Sequence, residues 1–227
     1  MSNQKYISKL VNEGYCLLPP IIDQNQCDFL KKRLNNSYKK YKDGYARNEN
    51  TKHRLNHQDD EKIVYNLQNK HMDFIKIASS HNIIDIVEPY LQKGSYEKTD
   101  DIIIRQMTAR NPSKNRGLQQ LHIDSRIPGL PYSIMVVATI MLDEFTTLNG
   151  ATRLIPRSHL LKNYPENNKV YKNEKIITGK PGSLLLMDGS LWHGGGENID
   201  GTSRWGVLFT YVRWFIKQAF DFTENIP

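Results

Sequence analysis

A mainly β chain with helices packed on its outside is the fold class this sequence predicts, and three observations predict it. From residue 101 onward, short runs of β-branched and aromatic residues alternate with turn signals such as Asn149-Gly150 and Pro181-Gly182. Before residue 101 the apolar residues recur at helical spacing instead. No long helical pattern separates the later strands, which favours a sandwich or jelly roll over an alternating parallel sheet. At 227 residues one domain accommodates both parts, the helical part over about 1–100 and the β core over about 101–215.

Residues 3 to 13 read as a short helix ended by Gly14, and Tyr15 to Leu18, before Pro19-Pro20, as a strand. Asp23 with Gln26 resembles a capping box, and Cys27, Leu30, Leu34, Tyr38 and Tyr41 then form one apolar helical stripe. Residues 43 to 62 are polar and rich in Asn, Lys and His, and are expected to be a mobile loop able to cover a site. A single helix is expected over 72 to 92, burying Phe74, Ile77, Ile84 and Val87. The strands follow at 101 to 108, 118 to 123, 132 to 142, 151 to 155, 175 to 178, 183 to 187 and 205 to 212.

Composition narrows the function classes. The polar start MSNQKYISKL lacks the apolar stretch of a signal peptide, and no run approaches the roughly 20 apolar residues that span a bilayer, so a cytoplasmic protein without a membrane partner is expected. The two cysteines, Cys16 and Cys27, have no partner at metal-ligand spacing and fit a reducing compartment. The formal charge of +7 comes from scattered lysines, many beside Asp, Asn or Tyr, which reads as a solvated basic surface and disfavours a nucleic-acid partner.

The chemistry-bearing residues are His122, Asp124, His193 and Arg204. In an extended segment residues 122 and 124 point to the same side while Ile123 faces away, so both donors reach one cation. His193 ends a buried apolar run, Ser183 to Trp192, and opens onto Gly194-Gly195-Gly196, where the backbone can come close to a ligand. Two imidazoles and a carboxylate form a facial triad that suits ferrous iron and leaves coordination positions open. Arg204 begins the next strand; if that strand and the one before it pair as a hairpin, its guanidinium returns toward His193, where its planar fork can grip a carboxylate. His53, His57, His71 and His81 lack a matching carboxylate pattern and read as surface residues, whereas His159 is expected to hold local backbone.

These landmarks resemble the phytanoyl-CoA dioxygenase family of Fe(II)- and 2-oxoglutarate-dependent oxygenases. The resemblance rests on Leu121-His122-Ile123-Asp124, on the run from Leu148 through Asn149-Gly150-Ala151-Thr152-Arg153 to His159, on Asp188-Gly189-Ser190-Leu191-Trp192-His193-Gly194, and on Arg204. It implies a double-stranded β-helix (cupin-like jelly roll) core in which His122, Asp124 and His193 bind Fe(II) and Arg204 meets the far carboxylate of the cosubstrate 2-oxoglutarate. With O2, such an enzyme hydroxylates an unactivated C–H bond and releases succinate and CO2. The presence of Asp124 favours hydroxylation, desaturation or ring closure over halogenation, because halogenating relatives vacate that position. Some relatives carry Ser or Thr two residues after the distal histidine; this chain has Gly195, and Gln106 and Thr108 are candidate replacements, with Thr152 a further candidate for touching cofactor.

A small-molecule substrate is expected, its identity set by loops at 43 to 62, 125 to 132 and 160 to 175. Arg105, Arg110, Arg126 and Tyr132 border the expected cleft and point to an acidic group on it. Relatives occur as monomers and homodimers. Two alternatives stay open: a nucleic-acid demethylating dioxygenase, which the distant Arg213 fits poorly, and an inactive β-helix that binds without turnover.

Overall fold

The computed structural model describes residues 3–47, 61–97, 101–114 and 116–219. Helix α1 (Gln4–Glu13) ends at Gly14, whose φ of 81° lies in the left-handed region, and the chain turns at once into strand β1 (Tyr15–Leu18). The expected capping box opens α2 (Gln24–Arg47): Asp23 Oδ1 accepts from Gln26 N at 2.8 Å, and Asp23 N donates to Gln26 Oε1 at 3.2 Å. Cys27, Leu30 and Leu34 of its stripe are buried, while the Tyr41 side chain lies outside the described residues. Among the described residues no helix is long and apolar enough to cross a membrane.

The helical part departs from expectation in two places. The segment from 43 to 62 is not one loop: α2 continues through Arg47, and Glu61 opens strand β2 (Glu61–Tyr65), with 48–60, including His53 and His57, outside the described residues. Ile63, Val64 and Tyr65 are good strand formers that the preceding polar run masks. The helix expected over 72–92 is two, α3 (Met72–Ala78) and α4 (His81–Leu91). The break falls at two serines, whose hydroxyls compete with helical hydrogen bonding. Ser79 Oγ donates to the Ile75 carbonyl at 3.0 Å, and Ser80 takes an extended N-cap conformation.

The remaining strands are β3 (Ile102–Pro112), β4 (Met135–Met141), β5 (Thr152–Leu154), β6 (Lys175–Ile177), β7 (Leu184–Asp188), β8 (His193–Gly195) and β9 (Gly206–Arg213). They form a six-stranded antiparallel sheet in the order β1-β7-β4-β9-β3-β2 and a three-stranded sheet β6-β5-β8. The strand expected over 118–123 does not form; only His122 pairs, as an isolated bridge to His193. Flanking it, Gln119 and Gln120 engage partners through their side chains, Gly195 N at 2.9 Å and Asn168 Oδ1 at 2.7 Å, so the segment follows β8 without a regular ladder.

Alternation along the large sheet separates two cores. Val136, Ala138 and Ile140 of β4, with Val207, Phe209 and Tyr211 of β9, pack against the helices, whereas Val137, Met141, Leu185 and Met187 pack toward the small sheet. On β3 the register slips between Ile104, opposite Tyr211, and Gln106, opposite Thr210. Ile102 and Ile104 pack on the helix side, and so do Met107 and Ala109, so this bulge reverses the parity of the strand. Gln106, Thr108 and Arg110 consequently share the face turned to the small sheet.

Tyr90 ties the helical layer to the strand that leads to His193. Its hydroxyl donates to Asp188 Oδ2 at 2.8 Å, while Asp188 Oδ1 accepts from Ser190 N at 2.7 Å. Tyr90→Phe should cost about 1–3 kcal/mol, the range for leaving a buried acceptor unpaired, as read from urea unfolding with an unchanged denaturant slope. A loss below experimental error would mean that solvent reaches Asp188.

Candidate metal centre

His122 lies in the segment between β3 and β4, and His193 opens β8. Their backbones exchange two hydrogen bonds, His122 N to His193 O at 2.9 Å and His193 N to His122 O at 3.0 Å, so the ring centroids stand 4.4 Å apart. The chain after His122 folds back because Asp124 N and Ser125 N both donate to the Gly189 carbonyl, at 2.8 and 2.9 Å. Asp124 Oδ1 then lies 3.6 Å from His122 Nε2, and Oδ2 lies 3.5 Å from His193 Nε2. Three donors around one cation at about 2.1 Å sit roughly 3 Å apart, so these separations need only small side-chain adjustments to close on a metal. Among the described residues this is the one cluster of three or more such donors within 4.8 Å of one another.

The other ring nitrogens set the tautomers. His122 Nδ1 donates to the Gln120 carbonyl at 3.1 Å and His193 Nδ1 to the Leu191 carbonyl at 2.9 Å. Both protons are thereby held on Nδ1, leaving each Nε2 lone pair aimed at the shared point. Withdrawal from water would raise the Asp124 carboxyl, but the His193 and His122 rings outweigh it and hold the group well below the usual carboxylate range. Burial likewise pulls His193 down, and the Asp124 charge and hydrogen bond outweigh it, leaving His193 raised.

Arg204 does not arrive by a hairpin. β8 belongs to the small sheet and β9 to the large one, and the buried Asn198 directs the crossing: its Nδ2 donates to the Pro112 and Thr202 carbonyls and its Oδ1 accepts from Gly201 N. Arg204 is 6% exposed, its guanidinium carbon lies 4.4 Å from the Phe145 ring centroid, and its Nε has no hydrogen-bond partner. Burial pulls its pKa to about 10, so it remains a cation at neutral pH.

Around Arg204 stands a charge cluster that the sequence did not reveal. Glu61 Oε2 accepts from Arg110 Nη1 at 3.0 Å, Glu61 Oε1 lies 3.5 Å from Arg116 Nη1, and all three groups act electrostatically on Arg204. Asp143 also acts on Arg204, yet its carboxylate is engaged by Lys31, Ser203 and Trp205 N. Among the described residues, three guanidinium groups therefore share one uncommitted carboxylate, and the surplus positive charge calls for an anion. Arg116 occupies the space of a missing side chain: a Cβ on Gly195 would lie 2.9 Å from Arg116 Nη1. That bare position was the available sequence signal. Thr152 pairs with Gly195 across β5 and β8, so it lies beside Arg116. Gln106 and Thr108 face the same interior, joined by a hydrogen bond of 3.4 Å.

His159 lies elsewhere, its Nε2 donating to the Val11 carbonyl at 3.2 Å, so it holds the backbone of α1 and not the local backbone expected. His71 caps α3 and His81 pairs with Asp85 at 3.1 Å on the surface.

Residues 10–206 match the sequence profile of the phytanoyl-CoA dioxygenase (PhyH) family. The chain belongs to this family. A 95-residue stretch is 32% identical to an uncharacterized protein of Mycobacterium tuberculosis, covering 42% of this chain and 35% of that protein. Over 106 residues it is 41% identical to Dioxygenase trt7 of Aspergillus terreus, covering 41% of this chain and 35% of that one. The matched stretches thus span about a third of the length of these relatives. Among solved structures, HygX of Streptomyces hygroscopicus with nickel and 2-oxoglutarate bound aligns with a TM-score of 0.74 at 13% identity, over 96% of this chain and 90% of that one. At such identity the likeness is one of fold, and it identifies the two sheets of this PhyH-family chain as the jelly roll of 2-oxoglutarate oxygenases.

The electrostatics of the triad predict opposite pH responses without and with metal. Without metal, the raised His193 adds stability fully below pH ~6.5, lost as pH rises through its folded value; the depressed Asp124 adds stability above pH ~3.9, lost as pH falls through its folded value. The melting temperature of metal-free protein should therefore fall as pH rises from 6.5 through the folded value of His193. Asp124→Asn should abolish this trend, and excess Ni(II) should reverse it, since metal competes with protons for the imidazoles.

Proposed function

We propose that this chain is an Fe(II)- and 2-oxoglutarate-dependent dioxygenase that hydroxylates a C–H bond of a small or medium organic molecule, acting as a single catalytic domain. The observation that carries this reading is the convergence of two Nε2 lone pairs and one carboxylate beside a buried arginine cluster with a surplus of positive charge. Family membership and the metal and 2-oxoglutarate in HygX support it. So does the small substrate in another HygX structure, which holds hygromycin B. The setting is the reducing cytoplasm, where Cys16 and Cys27 stay the free, buried thiols they are here.

His122, Asp124 and His193 would hold the iron, and Arg204 the far carboxylate of 2-oxoglutarate. When bound, iron, 2-oxoglutarate and O2 supply the oxidising power for hydroxylation, with succinate and CO2 released. The chain's own contribution is positional. The carbonyls of Gln120 and Leu191 lock the two rings, so the triad donates from one face only. Arg204, flattened against Phe145, presents its guanidinium edge with little freedom left to lose on binding. Arg116 takes the place of the hydroxyl that Gly195 lacks, as second partner of the same carboxylate, with Thr152 beside it. Gln106 and Thr108 line the opposite wall, and Val137, Met141 and Met187 help keep water from the interior.

An anaerobic absorbance titration with Fe(II) and 2-oxoglutarate tests this assignment through the charge-transfer band of the chelate. Wild-type protein should develop the band and Asp124→Ala should not. Arg204→Ala should need at least ~100-fold more cosubstrate, about 2.7 kcal/mol, and Arg116→Ala about tenfold more, about 1.4 kcal/mol. A folded, iron-replete wild type without a band would remove the oxygenase reading. An Arg116→Ala that titrates like wild type would return the second contact to Gln106, Thr108 or Thr152.

A further inference from the structure

Two further arginines lie near Asp124, one through space and one two residues along the chain, and each sits at an irregularity of the backbone. Arg105 is the inserted residue of the β3 bulge, with Ile104 opposite Tyr211 and Gln106 opposite Thr210. It is half-buried and within electrostatic reach of the Asp124 carboxylate and of Arg126. Bulges commonly redirect a side chain beside a site. Arg126 follows two residues after Asp124 with φ 65°, a left-handed conformation that costs a residue with a Cβ about 1 kcal/mol or more.

That strained turn is fixed from several directions. Ser125 N donates to the Gly189 carbonyl at 2.9 Å, Ser125 Oγ lies 2.9 Å from Ser190 Oγ, and Tyr164 Oη donates to the Arg126 carbonyl at 2.8 Å. The surrounding structure thus fixes the backbone from which the exposed Arg126 side chain projects.

The two side chains also differ from the other arginines near the cleft. Arg110 and Arg116 share Glu61, Arg153 pairs with Glu174, and Arg204 lies on Phe145. Among the described residues neither Arg105 nor Arg126 has a carboxylate within ion-pair distance. The acid nearest in electrostatic terms, Asp124, is committed to the two histidines. Each guanidinium instead opposes the other, a repulsion that an oxyanion between them would convert to attraction. This pair also stands apart from the Arg204 cluster. Arg105 answers to Asp124 and Arg126, whereas Arg204 answers to Glu61, Arg116, Arg110 and Asp143.

We propose that Arg105 and Arg126 form an oxyanion subsite for the substrate, so that the molecule presented to the Asp124 side of the metal carries a carboxylate or a phosphate. The inference rests on the oxygenase reading for calling the occupant a substrate, and it assigns to that occupant a charge class the triad alone does not. The subsite fixes one end of the substrate by charge while its hydrocarbon part extends toward the metal. A neutral molecule of the same shape loses that anchor, and a cation is repelled.

The test is calorimetry with four probes of equal chain length, hexanoate, hexyl phosphate, hexanol and hexylammonium. It is run on protein saturated with Ni(II) and 2-oxoglutarate, so that the Arg204 cluster is already occupied, and repeated on metal-free protein. Hexanoate or hexyl phosphate should bind at least tenfold more tightly than hexanol, and the stronger of the two identifies the oxyanion. Hexylammonium should bind more weakly than hexanol. Arg105→Gln and Arg126→Gly should each remove at least tenfold of the oxyanion affinity. Glycine is chosen at 126 because it adopts φ 65° without strain, so the turn survives and the melting temperature should not fall.

Equal binding of hexanoate and hexylammonium would overturn the subsite, as would both variants binding the oxyanions like wild type. The charge-transfer titration separates this from failure of the underlying reading. Protein that binds hexanoate through both arginines yet never forms the band keeps an anion site and loses the oxygenase assignment. A normal band, with probe binding indifferent to both substitutions, does the reverse.

Discussion

The reciprocal backbone pair between His122 and His193 is the constraint on which the site depends. Two hydrogen bonds bind an irregular segment to a three-residue strand, and they place the two imidazoles side by side before any metal contributes. Closeness of this kind excludes side chains on the strand: a Cβ on Gly194 would lie 2.9 Å from the Gln119 carbonyl oxygen, and one on Gly195 would meet Arg116. The glycines after His193 are therefore conditions of the pairing, which in turn fixes where Asp124 can reach. The Gly189 carbonyl, by accepting from Asp124 N and Ser125 N, closes the same circuit from the other end of the β7–β8 turn.

Charge is distributed around that circuit in compartments. The triad carries one negative charge, a carboxylate between two imidazoles that each keep a lone pair free. Behind it the guanidinium groups of Arg110, Arg116 and Arg204 outnumber Glu61, in a region where water is scarce and unpaired charge is costly. An interior of this kind is held in a high-energy state by the apolar sheets around it, and the free energy stored there becomes available to an incoming anion. Recognition and folding are coupled in this way: the layers that bury Arg204 also make it a strong ligand.

Much of this was legible in the sequence because it depends on short-range pattern. The parity of an extended segment put His122 and Asp124 on one side, the apolar run before His193 marked a buried strand, and the alternation after residue 101 marked a β sandwich. Pairing partners were not legible, since they depend on which sheet a strand joins. The assumed hairpin between the strands of His193 and Arg204 became a crossing between sheets, steered by Asn198, whose sequence context is that of an ordinary turn residue. Glu61 and Arg116 were missed for a related reason. Each sits in a stretch that reads as polar loop, and only the fold carries it to the interior. The helix divided at Ser79 and Ser80 shows the reverse case, a local hydroxyl signal that prevails in the fold although a long apolar period hides it in the sequence.

The bulge on β3 makes Arg105 the one residue between Ile102 and Arg110 that the pairing with β9 does not itself use. Ile102 and Ile104 pack with the helices at even positions, Met107 and Ala109 at odd ones, and Arg105 absorbs the difference. Deleting that one residue would make Ile104 opposite Tyr211 and Gln106 opposite Thr210 consecutive pairs, with Met107 and Ala109 still against the helices and Gln106, Thr108 and Arg110 still toward the small sheet. What the extra residue adds is therefore a guanidinium outside the ladder, without changing the facing of the residues on either side.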